Sequence, residues 1–187
     1  MNEQFFRILL LGLAFSLTAK PIDLIDENKW VAGHVGLVLK YFFVLLFSYV
    51  VFLSLAADSN LTPHFLSLFL FWILNGKLDH YPSHVLFAFI PGILLGQHIT
   101  QEYAALGMAG LAAYGALEYV IRHYQNWFVQ VAFYKSLGRF LIVPLALGFY
   151  LDDYNPLLHT ISGLLTMHLV RYCIRKDIIR IREGIRT

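Results

Sequence analysis

Charged residues and cysteine are both scarce in this sequence. Only 14% of its 187 residues are charged, whereas a soluble domain usually carries about 25%. A single cysteine, Cys173, excludes an intrachain disulfide and argues against a cysteine-based metal site. No repeat with a period of 20–50 residues, low-complexity tract or linker is visible. We therefore expect one domain over residues 1–187.

Apolar residues make up most of the rest: 58% of the chain is hydrophobic, 16% is aromatic and the mean hydropathy is +0.63. A membrane-spanning helix needs about 20 mostly apolar residues. The pattern predicts an all-α, polytopic helical integral membrane protein with seven spans, at 4–19, 31–57, 61–76, 84–99, 103–121, 127–151 and 156–174. The first segment has an alternative interpretation as a signal peptide, which would leave six spans.

The distribution of charge predicts the orientation, because basic residues concentrate in cytoplasmic loops. Six of the fourteen Lys and Arg residues lie in the last seventeen positions. If that tail is cytoplasmic and the chain has seven spans, the N-terminus is outside. The inner loops then hold Lys20, Lys29, Lys77, Arg122, Lys135 and Arg139. The outer loops hold Glu3, Asp58, Glu102, Asp152 and Asp153.

The C-terminal tail, residues 175–187, alternates isoleucine with arginine in the stretch KDIIRIREGIR. This pattern is typical of an amphipathic segment that lies at the cytoplasmic surface and binds anionic lipid headgroups. A nucleic-acid partner would need a larger basic surface. We expect a bacterial inner membrane as the location and other membrane proteins as potential partners.

Three polar residues on the predicted inner side, Asp79, His80 and His84, suggest a metal site. Carboxylate and imidazole groups bind Zn²⁺ or a similar divalent ion. His80 and His84 are one helical turn apart, although Pro82 lies between them. A metal held there could activate water against a lipid or lipid-linked substrate. On this hypothesis Asp79, His80 and His84 are the catalytic residues of a membrane hydrolase or transferase.

A second polar group, LDDYNPLLH, is predicted on the outer side. Asp152, Asp153 and His159 could act as an acid–base set. Alternatively, the two aspartates only form the turn before a helix. The outer side also receives His64 and His98, so these residues and the inner group would be separated by most of a bilayer.

A haem site is an alternative function. His84 and His98 are fourteen residues apart, about 21 Å along a helix, and this resembles the histidine placement of di-haem membrane cytochromes. The resemblance implies haem b and an electron-transfer role. Each haem would need a second histidine, which could be His34 or His168 on the inner side and His64 or His159 on the outer side.

A further pattern resembles the rhomboid family of intramembrane proteases. The stretch GMAG (107–110) corresponds to a GxSG motif, and His159 follows two spans later. Ala109 stands where that family has its nucleophilic serine, so the resemblance implies a relative without catalytic activity.

A small transporter, or a subunit of a larger membrane complex, is the remaining alternative. Pro91 and Pro144 could interrupt their helices, and broken helices mark some transporter sites. Glu118 is the acidic residue nearest to the middle of a span, but Arg122 one turn later predicts a local ion pair. Whether the protein is an enzyme stays open at this stage.

Overall fold

The computed structural model describes residues 3–28, 31, 33–74, 99–124 and 137–184. In these ranges all regular structure is α-helical, as predicted, and no strand is present. The described helices are α1 (Glu3–Asn28), α2 (Gly33–Ala57), α3 (Leu61–Leu74), α4 (Gln101–His123), α5 (Leu137–Leu151) and α6 (Asn155–Gly184).

Three of these helices are long and apolar enough to cross a membrane: Glu3–Ile25, Gly33–Ala57 and Gln101–His123. Shorter apolar helices cover Leu61–Leu74 and Phe140–Leu151. Helix α1 continues past the predicted end of its span at residue 19, through Pro21, to Asn28. Helix α6 continues past residue 174 into the basic tail. The predicted span 84–99 lies outside the described residues except for Ile99.

Large apolar side chains cover the outside of the helices. Val38, Leu45, Phe149 and Leu165 are each more than 60% exposed. Water penalises such a surface, whereas hydrocarbon does not. The exposed side chains therefore agree with the three candidate spans in indicating a membrane protein.

Helix α3 lies between two apolar clusters. On one side Phe65 and Phe69 pack with Val44 and Phe47 of α2 and with Ile8 of α1. On the other side Leu68 and Phe71 pack with residues of α4 and α5, namely Tyr114, Val143 and Leu147. Helix α1 also packs along α6. As a result, α3 and the first half of α6 are enclosed by other helices.

Two three-residue loops lie together at one end of the helices, which we call the loop end. Asp58–Asn60 joins α2 to α3, and Asp152–Tyr154 joins α5 to α6. The start of helix α4 also lies at the loop end, as shown by the hydrogen bond from the Tyr103 hydroxyl to Asn60 Oδ1 at 2.8 Å. The opposite end, which carries the continuation of α6 into the basic tail, is the far end.

Candidate functional site at the loop end

Each loop is closed by its own aspartate. Asp58 Oδ1 accepts a hydrogen bond from the backbone N–H of Asn60 at 2.9 Å. Asp153 Oδ1 accepts from the backbone N–H of Asn155 at 3.0 Å. An aspartate that binds the backbone two residues later forms an Asx turn, which suits the entry to a helix. The next helix follows directly in both cases.

The two loops are also bonded to each other in a reciprocal way. Asn60 Nδ2 donates to Asp153 Oδ2 at 2.7 Å, and Asn155 Nδ2 donates to Asp58 Oδ2 at 2.7 Å. We call these four residues the Asp–Asn clamp. Hydrogen bonds to a carboxylate are shorter and stronger than neutral ones. The clamp therefore fixes the start of α3 against the start of α6.

The carboxylates of the clamp are held by amide N–H groups rather than by Lys or Arg. Asp58 is only 9% exposed. Burial raises the pKa of Asp58 above its ordinary value, the hydrogen bonds from Asn60 and Asn155 oppose this shift, and the nearby charge of Asp153 adds to it. Asp58 is thus a carboxyl group whose proton affinity is increased by the fold.

Two buried histidines lie one turn below the clamp. His64 and His159 are each 2% exposed. His64 Nε2 is 3.1 Å from the hydroxyl oxygen of Thr160, which itself donates to the Pro156 carbonyl. The hydroxyl has one hydrogen, so His64 must be the donor and must carry its proton on Nε2. Its Nδ1 atom is then an acceptor, and no described residue donates to it.

The same reasoning assigns the tautomer of His159. Its Nε2 atom is 3.4 Å from Ser54 Oγ, and Ser54 donates its own hydrogen to the Val50 carbonyl at 2.8 Å. His159 Nε2 must therefore be the donor of this long contact. With these hydrogens assigned, His159 donates to Ser54 and is not positioned as its general base. Edge contacts with Phe15 and Phe65 fix the imidazole ring.

Both segments follow one sequence motif, Asp-x-Asn-x3-His-x2-Ser, at 58–67 and 153–162. The serine of each copy donates to the backbone carbonyl of its histidine, from Ser67 to His64 at 2.8 Å and from Ser162 to His159 at 2.9 Å. Our sequence analysis missed Asn60 and Asn155 as partners of these aspartates. The repeated spacing is the signal that could have revealed them.

Of the site residues predicted from sequence, His64, Asp153 and His159 are among the described residues and belong to this site. Asp79, His80, His84 and His98 are outside the described residues, so the metal site and the His84–His98 haem pair stay predictions. His168, proposed as a haem ligand, is exposed on α6. Within the part of the chain that the structure describes, no three His, Cys, Asp or Glu side chains are grouped so that they could hold a metal ion.

Two further predictions have visible outcomes. The local ion pair is confirmed, because Arg122 Nε lies 3.1 Å from Glu118 Oε1. The GMAG stretch forms a helix-packing surface: Gly107 lies against Leu66, and Gly110 lies against Ser67 and Val143. The described ring contacts of His159 are with Phe15 of α1 and Phe65 of α3. They do not include the GMAG stretch, which packs on Leu66, Ser67 and Val143 instead.

The site combines a polar surface with a polar interior. At the surface, two carboxylates face amide donors that a ligand or ion could replace. Inside, His64 presents a lone pair with no described donor, and such a buried acceptor favours a hydrogen-bonding partner.

No family model matches the chain, and neither a curated protein nor a solved structure shows significant similarity to it.

Proposed function

We propose that this protein is a multi-pass membrane carrier for a small polar solute, which binds between the helices at His64 and His159. The main support for this proposal is the Nδ1 atom of His64, which is a buried hydrogen-bond acceptor with no donor among the described residues. Polar groups inside a membrane bundle are costly and usually functional. In many carriers such groups lie where two parts of the chain meet, and His64 and His159 come from two such parts.

The proposal includes seven spans with the loop end outside the cell. Helices α3 and α4 both begin at the loop end, so the chain has to return between them, and the predicted span 84–99 would supply this crossing. Helix α6 starts at the loop end and has about 45 Å of length before its basic end at Gly184. The positive-inside rule then assigns the far end to the cytoplasm. Residues 175–187 would bind anionic headgroups of the bacterial inner membrane there.

A carrier fits the hydrogen bonds better than a hydrolase that uses these residues. The hydroxyls of Ser54 and Thr160 donate to backbone carbonyls, which leaves neither poised to attack a substrate. The hypothesis of a lipid-directed, metal-assisted enzyme rests on Asp79, His80 and His84 and needs its own test, which the Discussion gives. The haem hypothesis is tested by an absorption spectrum of purified protein, in which no Soret band should appear if the carrier proposal is right.

Solute uptake by reconstituted vesicles tests the proposal. Liposomes with and without the protein are shrunk osmotically in urea, glycerol or glycine, and light scattering follows their reswelling. Faster reswelling is expected with the protein for at least one solute. His64→Gln should slow it about tenfold, since a lost hydrogen bond to a buried group costs about 1–3 kcal/mol.

His168→Gln is the matched control, because this histidine is exposed on α6. It should reswell at the wild-type rate. Equal rates for wild type and His64→Gln would contradict the binding site. Rates no faster than those of protein-free vesicles for all three solutes would count against the carrier.

A further inference from the structure

The similarity between the two motif copies extends to the helices that pack against them. Helix α1 contains Gly12-Leu13-Ala14, and helix α4 contains Gly110-Leu111-Ala112. Counting only the described helices, the Gly-Leu-Ala stretch lies in both cases on the first of a series of three helices, and the Asp-x-Asn loop joins the second to the third. The series are α1–α3 and α4–α6.

The glycine of each stretch packs against the other series of helices. Gly12 in the first series lies against Ser162 and the His159 carbonyl in the second. Gly110 in the second series lies against Ser67 in the first, where an added Cβ would be 2.8 Å from the Ser67 Cβ. Ser67 and Ser162 are the equivalent last residues of the two motifs. Each glycine therefore meets the motif serine of the other series.

Two pairs of helix contacts and the bonds of the clamp exchange in the same way. Helix α1 packs on α2 and on α6, while α4 packs on α5 and on α3. Within the clamp, Asn60 donates to Asp153, and Asn155 donates to Asp58. If the first series is exchanged for the second, each of these contacts turns into another contact of the same kind. Such reciprocity is the property of a two-fold interface.

We infer that the six described helices form two copies of one three-helix unit, which associate through a pseudo-two-fold interface as two subunits of a parallel dimer would. The surface of each unit, formed by its motif and its Gly-Leu-Ala stretch, fits a second copy of that unit. The copies run in the same direction, since both Asp-x-Asn loops lie at the loop end. This inference does not depend on the carrier proposal.

Two double-mutant cycles on the full chain test the equivalence of the copies. The first cycle comprises Asp58→Asn, Asn155→Asp and both together. The second comprises Asp153→Asn, Asn60→Asp and both together. Each single change places two amides or two carboxylates opposite each other, and each double change restores one carboxylate and one amide. The readout is the melting temperature in detergent.

Each single variant should lower the melting temperature by about 5 °C, and each double exchange should recover at least half of that loss. The recovery in the two cycles should agree within a factor of two. Asp152→Asn, an exposed change in the same loop, is the control and should melt like the wild type.

If Asn155→Asp fails to fold, Asn60→Asp must fail as well. Each of these two changes must then be rescued by the double exchange of its own cycle. Recovery in one cycle without recovery in the other would overturn the inference. Absence of recovery in both cycles would do the same, because the clamp would then not couple the two units.

Discussion

Protonation of Asp58 is linked to folding, because its pKa differs between the folded and the unfolded chain. Its pKa is raised above 3.8, chiefly by burial and in part by the charge of Asp153. The folded chain therefore binds this proton more readily than the unfolded chain. The contribution of Asp58 to the free energy of unfolding should then increase as the pH falls from above the raised pKa towards 3.8, by on the order of 1 kcal/mol for each unit of pKa difference.

Asp58→Asn should remove this contribution, so the melting temperature of the variant relative to that of the wild type should be lower at pH 4 than at pH 7. Asp152→Asn provides the comparison, because Asp152 is exposed in the neighbouring loop and has a left-handed backbone with φ of 50°. It should keep the wild-type dependence. An unchanged pH profile for Asp58→Asn would show that another group is responsible.

The predicted inner metal site makes a separate prediction at residues His80 and His84. If these histidines hold a divalent ion, purified wild-type protein should contain about one metal ion per chain. The double variant His80→Ala, His84→Ala should contain much less, because metal affinity depends on both imidazole ligands. Elemental analysis after gel filtration measures this directly. Zero metal in the wild type, or equal metal in both proteins, would rule the site out.

At the scale of helices, two close contacts depend on glycine. A Cβ at Gly12 would overlap the Ser162 hydroxyl and the backbone oxygen of His159, and the backbone cannot move aside easily. Gly12→Ala should therefore destabilise the protein by about 1–3 kcal/mol. Gly110→Ala should cost less, since its obstacle is the Ser67 side chain. Melting temperatures of the two variants in the same detergent should be lower for Gly12→Ala than for Gly110→Ala.

Gly115 supplies the control for these two substitutions. No atom lies within 4 Å of the Cβ that would be added there. Gly115→Ala should stabilise α4 by about 0.5–1 kcal/mol, because alanine has the higher helix propensity. If all three alanine variants behaved alike, close packing of α1 on α6 would not be the reason for glycine at residue 12.

Sequence alone predicts the helices well because each contains a long apolar run. Boundaries fail where local signals mislead. Pro21 suggests an end to α1, yet the helix continues to Asn28. The change from apolar to basic residues after residue 174 suggests a separate tail, yet arginine, lysine and isoleucine are compatible with a helix, and α6 continues to Gly184.

The candidate site was predictable only in part, because its bonds join distant segments. The positive-inside rule placed His64, Asp153 and His159 on the same predicted side, and the structure brings them to the loop end. The partners of these residues were not predictable from either loop alone. Asn60 reads locally as a turn residue, and its bond to Asp153 spans 93 residues. Only a comparison of the two loops with each other would have suggested it.

At the scale of the whole molecule, the described helices bury polar side chains beside an apolar core and expose large apolar side chains. Histidine, serine and threonine are buried between the helices, as at His64, Ser67, His159 and Thr160, while valine, leucine and phenylalanine face outward. Inside hydrocarbon this arrangement satisfies polar groups with one another and gives lipid an apolar surface. The orientation of the bundle is then the main property left to test.

Labelling of single cysteines can determine that orientation. The exposed Cys173 is first replaced by serine to remove the background. Asp152→Cys at the loop end and His123→Cys at the far end then place one thiol at each end, and both parent residues are exposed. In intact spheroplasts a membrane-impermeant maleimide should label Cys at position 152 but not at 123, because the positive-inside rule predicts a cytoplasmic far end. Permeabilisation should make both react equally.

Labelling of position 123 alone in intact spheroplasts would show the opposite orientation, with the Asp–Asn clamp facing the cytoplasm.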